Sequence, residues 1–358
     1  MSRLITCLVM KRHQCSDPLF FLDYWFMQYY NSNTMLHTLK TIWHPEWYHN
    51  PAKGPYFEGW YYKQVDKDGK HSFIVIPGIF IEKDKTKSYA FIHIFKKGQS
   101  PHFVTYPFHE FTATYTPFSI SIAGNHFTLN TITLAITSSD ISVSGQCSFE
   151  NRYPWPVKLF SPGSMGWYAF VPTMECNHAV LSMDHSISGA IRYNEELMDF
   201  TGGRGYMEKD WGKSFPSAYI WFQTNHFATV GTSIFGSIAT IPWKRSYFTG
   251  FLIALLHNGR LYTFTTYNNA QCTLSVTDLL VRISCSKGNR NATITIKRTP
   301  GIALPAPYNG SMQSKIYESL DAHVHCVFNE NNHTVLDDTG SHAGFEIVGD
   351  IDNLIAHL

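Results

Sequence analysis

The chain has 358 residues, 15% of them charged and 15% aromatic, with 28 basic against 27 acidic side chains. Charge lies well below the roughly 25% of an average globular protein, and without a Lys/Arg block there is no electrostatic footprint for a nucleic-acid partner. No apolar run reaches the roughly 20 residues of a spanning helix, so the surplus of rings points to a large aromatic β core or an apolar cavity.

Residues 1–35 share no pattern with the rest of the chain. The aromatic stretch at residues 19–30 is interrupted by Asp23 and lacks a small-residue cleavage site, which makes it a poor signal peptide. It is neither Ser-rich nor acid-poor enough for a plastid transit peptide. With Met35 as an alternative start, the segment is expected to be a poorly structured or mispredicted extension, at best a weak surface anchor.

Strand and turn signals dominate from Tyr56 onward. Asp68-Gly69 lies between residues 61–65 and 73–76, Gly124-Asn125 between 118–122 and 127–129, and Asn258-Gly259 between 251–256 and 261–266. Each reads as a hairpin, because these residues tolerate the positive φ of a type I′ turn. Alternation recurs at residues 141–143, 273–283 and 292–296. The Pro/Gly cluster from Tyr153-Pro154-Trp155-Pro156 to Ser161-Pro162-Gly163 breaks the chain near its centre. Residues 300–307, rich in proline, read as a loop, and residues 313–320 as one short helix. Without alternating helices a parallel sheet is excluded, which leaves antiparallel barrels or sandwiches. The expected division is a first β domain at 36–190 and a second at 191–358.

The sequence has no GxGxxG, GxxxxGK[ST], HExxH or GxSxG, so phosphate-cradling, zincin and α/β-hydrolase chemistry lack support. Seven cysteines without a CxxC read as reduced thiols, which suits a cytoplasmic location. His323-Val324-His325 puts two imidazoles on one strand face, but no third ligand is nominated and no metal is expected.

Three blocks are more specific. The first is Tyr56-Phe57-Glu58-Gly59-Trp60-Tyr61-Tyr62-Lys63. The second is Gly166-Trp167-Tyr168-Ala169-Phe170-Val171-Pro172, followed by Leu181-Ser182-Met183-Asp184-His185. The third runs from Asp199-Phe200-Thr201-Gly202-Gly203-Arg204-Gly205-Tyr206-Met207-Glu208-Lys209-Asp210-Trp211-Gly212 to Trp221-Phe222-Gln223-Thr224-Asn225-His226-Phe227. Together they resemble the signature of the tocopherol cyclase family. That resemblance implies an all-β fold of two tandem lipocalin-like antiparallel β-barrel halves and kinship with carotenoid hydratases. It also implies closure of a prenylated quinol to a chromanol, without redox change and without a cofactor. The implied partner is a hydrophobic small molecule, a prenylated quinol or an isoprenoid, with peripheral membrane contact to reach it.

The chemistry can be read from the residues as well. Cyclising a phenol onto an alkene needs a group that keeps its proton near neutral pH, and burial among rings raises a carboxyl pKa. The resulting cation needs π faces. Glu208 and Asp210 would share one strand face with Tyr206, Lys209 the other; the alternative is a solvated turn with Arg204 or Lys213 as partners. The related hydratases carry a Tyr-x-acid element before Trp-Gly, which favours Glu208 as proton donor and Asp210 as its tuner. His226 is the expected second polar group, orienting a substrate hydroxyl beside Asn225. Trp60, Trp167, Tyr206, Trp211 and Trp221 are expected to line the pocket, and Arg204 to contact substrate. Glu58 is either a ligand contact or a partner of Lys63. Asp184-His185 is either a proton relay or a strand-end pair. Cyclase, isoprenoid hydratase and non-catalytic carrier all remain open at this level.

Overall fold

The computed structural model describes residues 39–308 and 311–358; the extension at residues 1–35 lies outside them. The first half contains β1 (Tyr56–Val65), β2 (Ser72–Ile81), β3 (Tyr89–Lys96), β4 (His102–Pro107), β5 (Phe111–Tyr115), β6 (Phe118–Ile122), β7 (Asn125–Thr128), β8 (Thr131–Thr137), β9 (Ser142–Glu150), β10 (Val157–Lys158), β11 (Ser161–Pro162), β12 (Cys176–Tyr193), β13 (Glu196–Asp199) and β14 (Arg204–Gly212). The second contains β15 (Tyr219–Thr224), β16 (Ser233–Trp243), β17 (Ser246–His257), β18 (Arg260–Thr265), β19 (Gln271–Val276), β20 (Leu280–Lys287), β21 (Arg290–Lys297), β22 (Ile302–Tyr308), β23 (Ser311–Glu330) and β24 (His333–Val348). A short helix, Ile351–Ala356, closes the chain.

Each half is one antiparallel sheet. The first runs in the order β4-β3-β2-β1-β14-β12-β9-β8-β7-β6-β5, with β13 added on β12 and β10–β11 as a separate hairpin. The second runs β18-β17-β16-β15-β24-β23-β21-β20-β19, with β22 added on β23. In both, the two edge strands are neighbours in sequence, joined by the single 3-10 turns Phe108–Glu110 and Thr266–Asn268. Each sheet therefore curls until its edges approach. Among the described residues no ladder joins those edges, so the lipocalin-like halves are curled sheets rather than closed barrels.

Period-2 alternation sorts side chains into three large cores, with a small fourth cluster of Phe57, Phe80, Phe91 and Met312. Trp60 and Tyr62 of β1 and Met207 of β14 fill the inside of the first half. Ile220 and Phe222 of β15 fill the inside of the second. Their neighbours Tyr61, Tyr206, Tyr219 and Trp221 pack instead between the halves. Strands buried on both faces read as nearly unbroken apolar runs, and β15 is buried at every position. Each fully buried aliphatic or Phe side chain contributes roughly 1.5–3 kcal/mol.

Three sequence expectations are corrected or relocated by this topology. Residue 190, the expected domain boundary, lies inside β12 and pairs with both β9 and β13; the chain crosses between sheets at residues 213–218. Residues 313–320 belong to strand β23, not a helix, because Ile316, Glu318 and Leu320 at even spacing satisfy a strand period as well as a helical one. Residues 302–308 form β22, not a loop. Among the described residues it pairs only with β23, and an edge strand tolerates Pro305 and Pro307 where a central one does not.

Candidate active site

Two rows of side chains face each other between the halves. On the first, Tyr61 stands opposite Glu208 in the β1–β14 ladder. On the second, Trp221 stands opposite Glu346, and Glu346 opposite Glu318, across β15, β24 and β23. The rows border a cavity of about 190 Å³ walled by rings including Phe57, Phe91, Phe95 and Phe248, with polar ends from His178, Glu208, Asp210, Glu318 and Glu346. Gly344 makes room for the indole: a Cβ there would stand 2.7 Å from the Trp221 ring.

Glu208 is 3% exposed. Its Oε2 accepts from the Tyr206 hydroxyl at 2.5 Å and from the Trp221 Nε1–H at 3.2 Å. His178, opposite Asp210 in the β12–β14 ladder, places Nδ1 2.8 Å from Asp210 Oδ1. Its Nε2 lies 3.4 Å from Glu208 Oε2, a charge contact without hydrogen-bond alignment. The imidazole stacks on Phe235, with centroids 4.8 Å apart and planes 9° from parallel. Burial pushes the Glu208 carboxyl up to about 7, with His178 pulling against it and Asp210 adding to it. Burial works against a charged His178, but Asp210 and Glu208 outweigh it and raise the imidazole to about 9. Near neutral pH the site thus pairs a protonatable carboxyl with an imidazolium. The ligand atoms of His178, Glu208 and Asp210 lie within 4.8 Å of one another, a spacing that suits a cation; the imidazolium already supplies the positive charge there.

Two more carboxyls complete the opposite wall. Tyr61 donates to Glu318 Oε1 at 3.0 Å, and Tyr219 donates to Glu346 Oε2 at 2.6 Å. Burial raises both carboxyls to about 8, helped at Glu318 by Glu346 and at Glu346 by Glu208.

Of the residues singled out from sequence, Glu208, Asp210 and Trp221 line the cavity, and Tyr206 lies buried behind them, reaching the site through its hydrogen bond to Glu208. The solvated-turn alternative is overturned, since Glu208 is in a strand and buried. His226 is elsewhere: it lies beyond the end of β15, edge-on to His342 at 5.4 Å, and neither ring nitrogen has a hydrogen-bond partner. Burial, and then Lys63, lower its pKa to about 3. Asp184 pairs with Arg204 and accepts from Asn225 Nδ2 at 2.9 Å, a clasp between the halves. His185 does not bond Asp184; it contacts Ser182 Oγ at 3.1 Å and Phe149 at 4.7 Å, and burial lowers it to about 3.

Glu58, Trp60 and Trp211 face the inside of the first half. Glu58 pairs with Lys209 at 2.5 Å, not with Lys63, which lies on the opposite strand face and donates to Gln223. Lys209 sits over Trp60 and Trp211 at 4.7 and 4.8 Å. Burial alone would raise Glu58, yet Lys209 and His49 hold it at about 2. Trp167 does not line the cavity: it is 43% exposed and stacks on Tyr168, which does.

Sequence reasoning missed His178, Glu318 and Glu346. Only strand register reveals His178, whereas Glu346 carried a signal: a lone acid between Phe345 and Ile347.

The sequence profile of the tocopherol cyclase-like family matches residues 123–349. The chain belongs to that family. The tocopherol cyclase-like chain is 28% identical over 165 residues to the probable chloroplastic tocopherol cyclase of Oryza sativa subsp. japonica, covering 43% of this chain and 34% of the rice protein. It is 27% identical over 120 residues to the chloroplastic tocopherol cyclase of Zea mays, covering 32% of this chain and 25% of that one. The matched segments thus span about a third or less of these curated relatives. In fold, it is similar to the crystal structure of CghA, with a TM-score of 0.56 at 11% identity over 83% of this chain and 89% of the other.

Proposed function

We propose that this chain is an acid-catalysed cyclase of prenylated quinols. The observation that carries the reading is the Glu208 carboxyl, raised to about 7 in an aromatic cavity beside a positive imidazole. Glu208 gives its proton to one carbon of a trisubstituted alkene, leaving a tertiary cation that the lining rings of Tyr61 and Trp221 flank with π faces. The new Glu208 carboxylate is stabilised by the two donors already aimed at Oε2 and by the His178 charge. The quinol oxygen closes on the cation, and its proton returns to the Glu208 carboxylate. Substrate and product are isomers, so the step is redox-neutral.

Glu318 and Glu346 suit the ring end of the substrate, where neutral carboxyls donate to quinol oxygens. A carrier reading leaves the acids unexplained, since buried carboxyls cost several kcal/mol without gain in binding an apolar ligand. Incubating the full chain with a reduced prenylated hydroquinone tests the proposal. A chromanol of unchanged mass is expected. A product that has gained one water would make the chain a hydratase, and bound but unaltered quinol would make it a carrier.

A further inference from the structure

Of the twelve exposed large apolar side chains among the described residues, four fall in one segment: Val157, Leu159, Phe160 and Trp167. Phe160 is 81% exposed and Leu159 64%, both at the tip of the β10–β11 hairpin. Monomeric proteins rarely leave such a cluster uncovered without a use for it.

This segment is continuous with the cavity. Ile241 of β16 and Phe248 of β17 line the cavity, and Trp243 stands on the Ile241 face two residues on. Trp243 meets Trp167 at 6.2 Å and both Tyr168 and Phe248 at 6.1 Å, and Tyr168 is itself a lining residue. The rings extend outward through Phe170 and Trp43, 5.7 Å apart, and the Trp43 Nε1–H donates to the Leu159 carbonyl at 3.0 Å. Lys158 on one hairpin and Lys244 and Arg245 at the tip of the other are exposed, and neither tip carries a carboxylate. An aromatic rim with a basic fringe matches the layered chemistry of a bilayer surface, rings at the headgroup level and cations on anionic phosphates. No helix among the described residues is long and apolar enough to cross a membrane.

We propose that this rim docks on an anionic lipid bilayer, so that the cavity opens onto the membrane. The proposal rests on the reading that the cavity takes a prenylated, lipid-resident substrate.

Co-flotation of the full chain with phosphatidylcholine–phosphatidylglycerol vesicles tests it. Wild type should float, and less so with pure phosphatidylcholine or raised salt. Leu159→Ser/Phe160→Ser and, separately, Lys158→Glu/Lys244→Glu/Arg245→Glu should each lower partitioning by roughly tenfold or more. Both should still turn over detergent-dispersed quinol at the wild-type rate. Wild type that stays unbound, or variants that float as wild type does, would overturn the proposal. So would a dimer that the Leu159/Phe160 variant dissolves, which would make the rim an interface between copies. Vesicle binding by a chain that converts no quinol would leave docking intact and remove the cyclase reading instead.

Discussion

Tyr61 and Glu318 belong to different halves of the chain, and the tyrosine hydroxyl donates to the carboxyl across 3.0 Å. The bond makes one wall of the cavity continuous with the other, so neither half holds the site alone. The donated bond favours the Glu318 carboxylate, but burial and the neighbouring Glu346 outweigh it and leave Glu318 a neutral group.

That neutrality sets a pH dependence. The folded pKa of Glu318 and of Glu346 is about 8, above the ordinary 4.5. Between those values the unfolded chain has released protons that the fold retains, so stability should fall as pH rises from about 4.5 to about 8 and then level off. Glu318→Gln/Glu346→Gln should flatten this slope and stabilise the alkaline end. Urea unfolding across that range checks it, and an unchanged slope in the double variant would assign the dependence to other groups.

Glu208→Gln keeps the shape of the side chain but has no proton to transfer. Turnover of a prenylated quinol should drop about 10²–10⁴-fold, with quinol binding by fluorescence quenching retained. Full activity in Glu208→Gln alongside a dead Asp210→Asn would move the donor role to Asp210.

The rate should decline as pH rises through about 7, because Glu208 must hold its proton. His178 pulls that pKa down, so His178→Gln should move the alkaline limb to higher pH. The same change should lower the maximal rate, since the carboxylate formed during turnover loses its counter-charge. A limb displaced to lower pH would show that another group carries the titration.

Lys209→Met leaves the buried Glu58 carboxylate without its main counter-charge. Breaking such a pair typically costs about 3–5 kcal/mol, measurable by chemical denaturation. Because Lys209 faces away from the cavity, the alkaline limb of the rate profile should stay in place in any folded fraction.

The strands were readable because Asp68-Gly69 and Asn258-Gly259 punctuate them, and the acid pair because Tyr206, Glu208 and Asp210 keep a period of two. His226 was misjudged for a reason of distance: five residues past Trp221, at about 3.3 Å each, it lies roughly 16 Å along the strand from the cavity row. His178 was invisible because its partnership with Asp210 depends on the β12–β14 register, which shifts between Val180 and Ser182. Glu318 was hidden by the helical reading of its segment, where Ile316 and Leu320 fit both periods. For His178 and Glu318 long-range pairing, which local pattern does not encode, decided the outcome.

The doubly buried strands also constrain the order in which the molecule can be made. Ile74 and Phe95 of the first half are covered by a cluster that includes Leu304 and Leu320, which leave the ribosome more than two hundred residues later. Through that interval the nascent first half holds a greasy face to water, the condition under which large β proteins aggregate or recruit chaperones. Expression of residues 39–212 alone should therefore give insoluble protein, and slowing translation after Gly212 should lengthen the exposed period and lower the yield of the full chain.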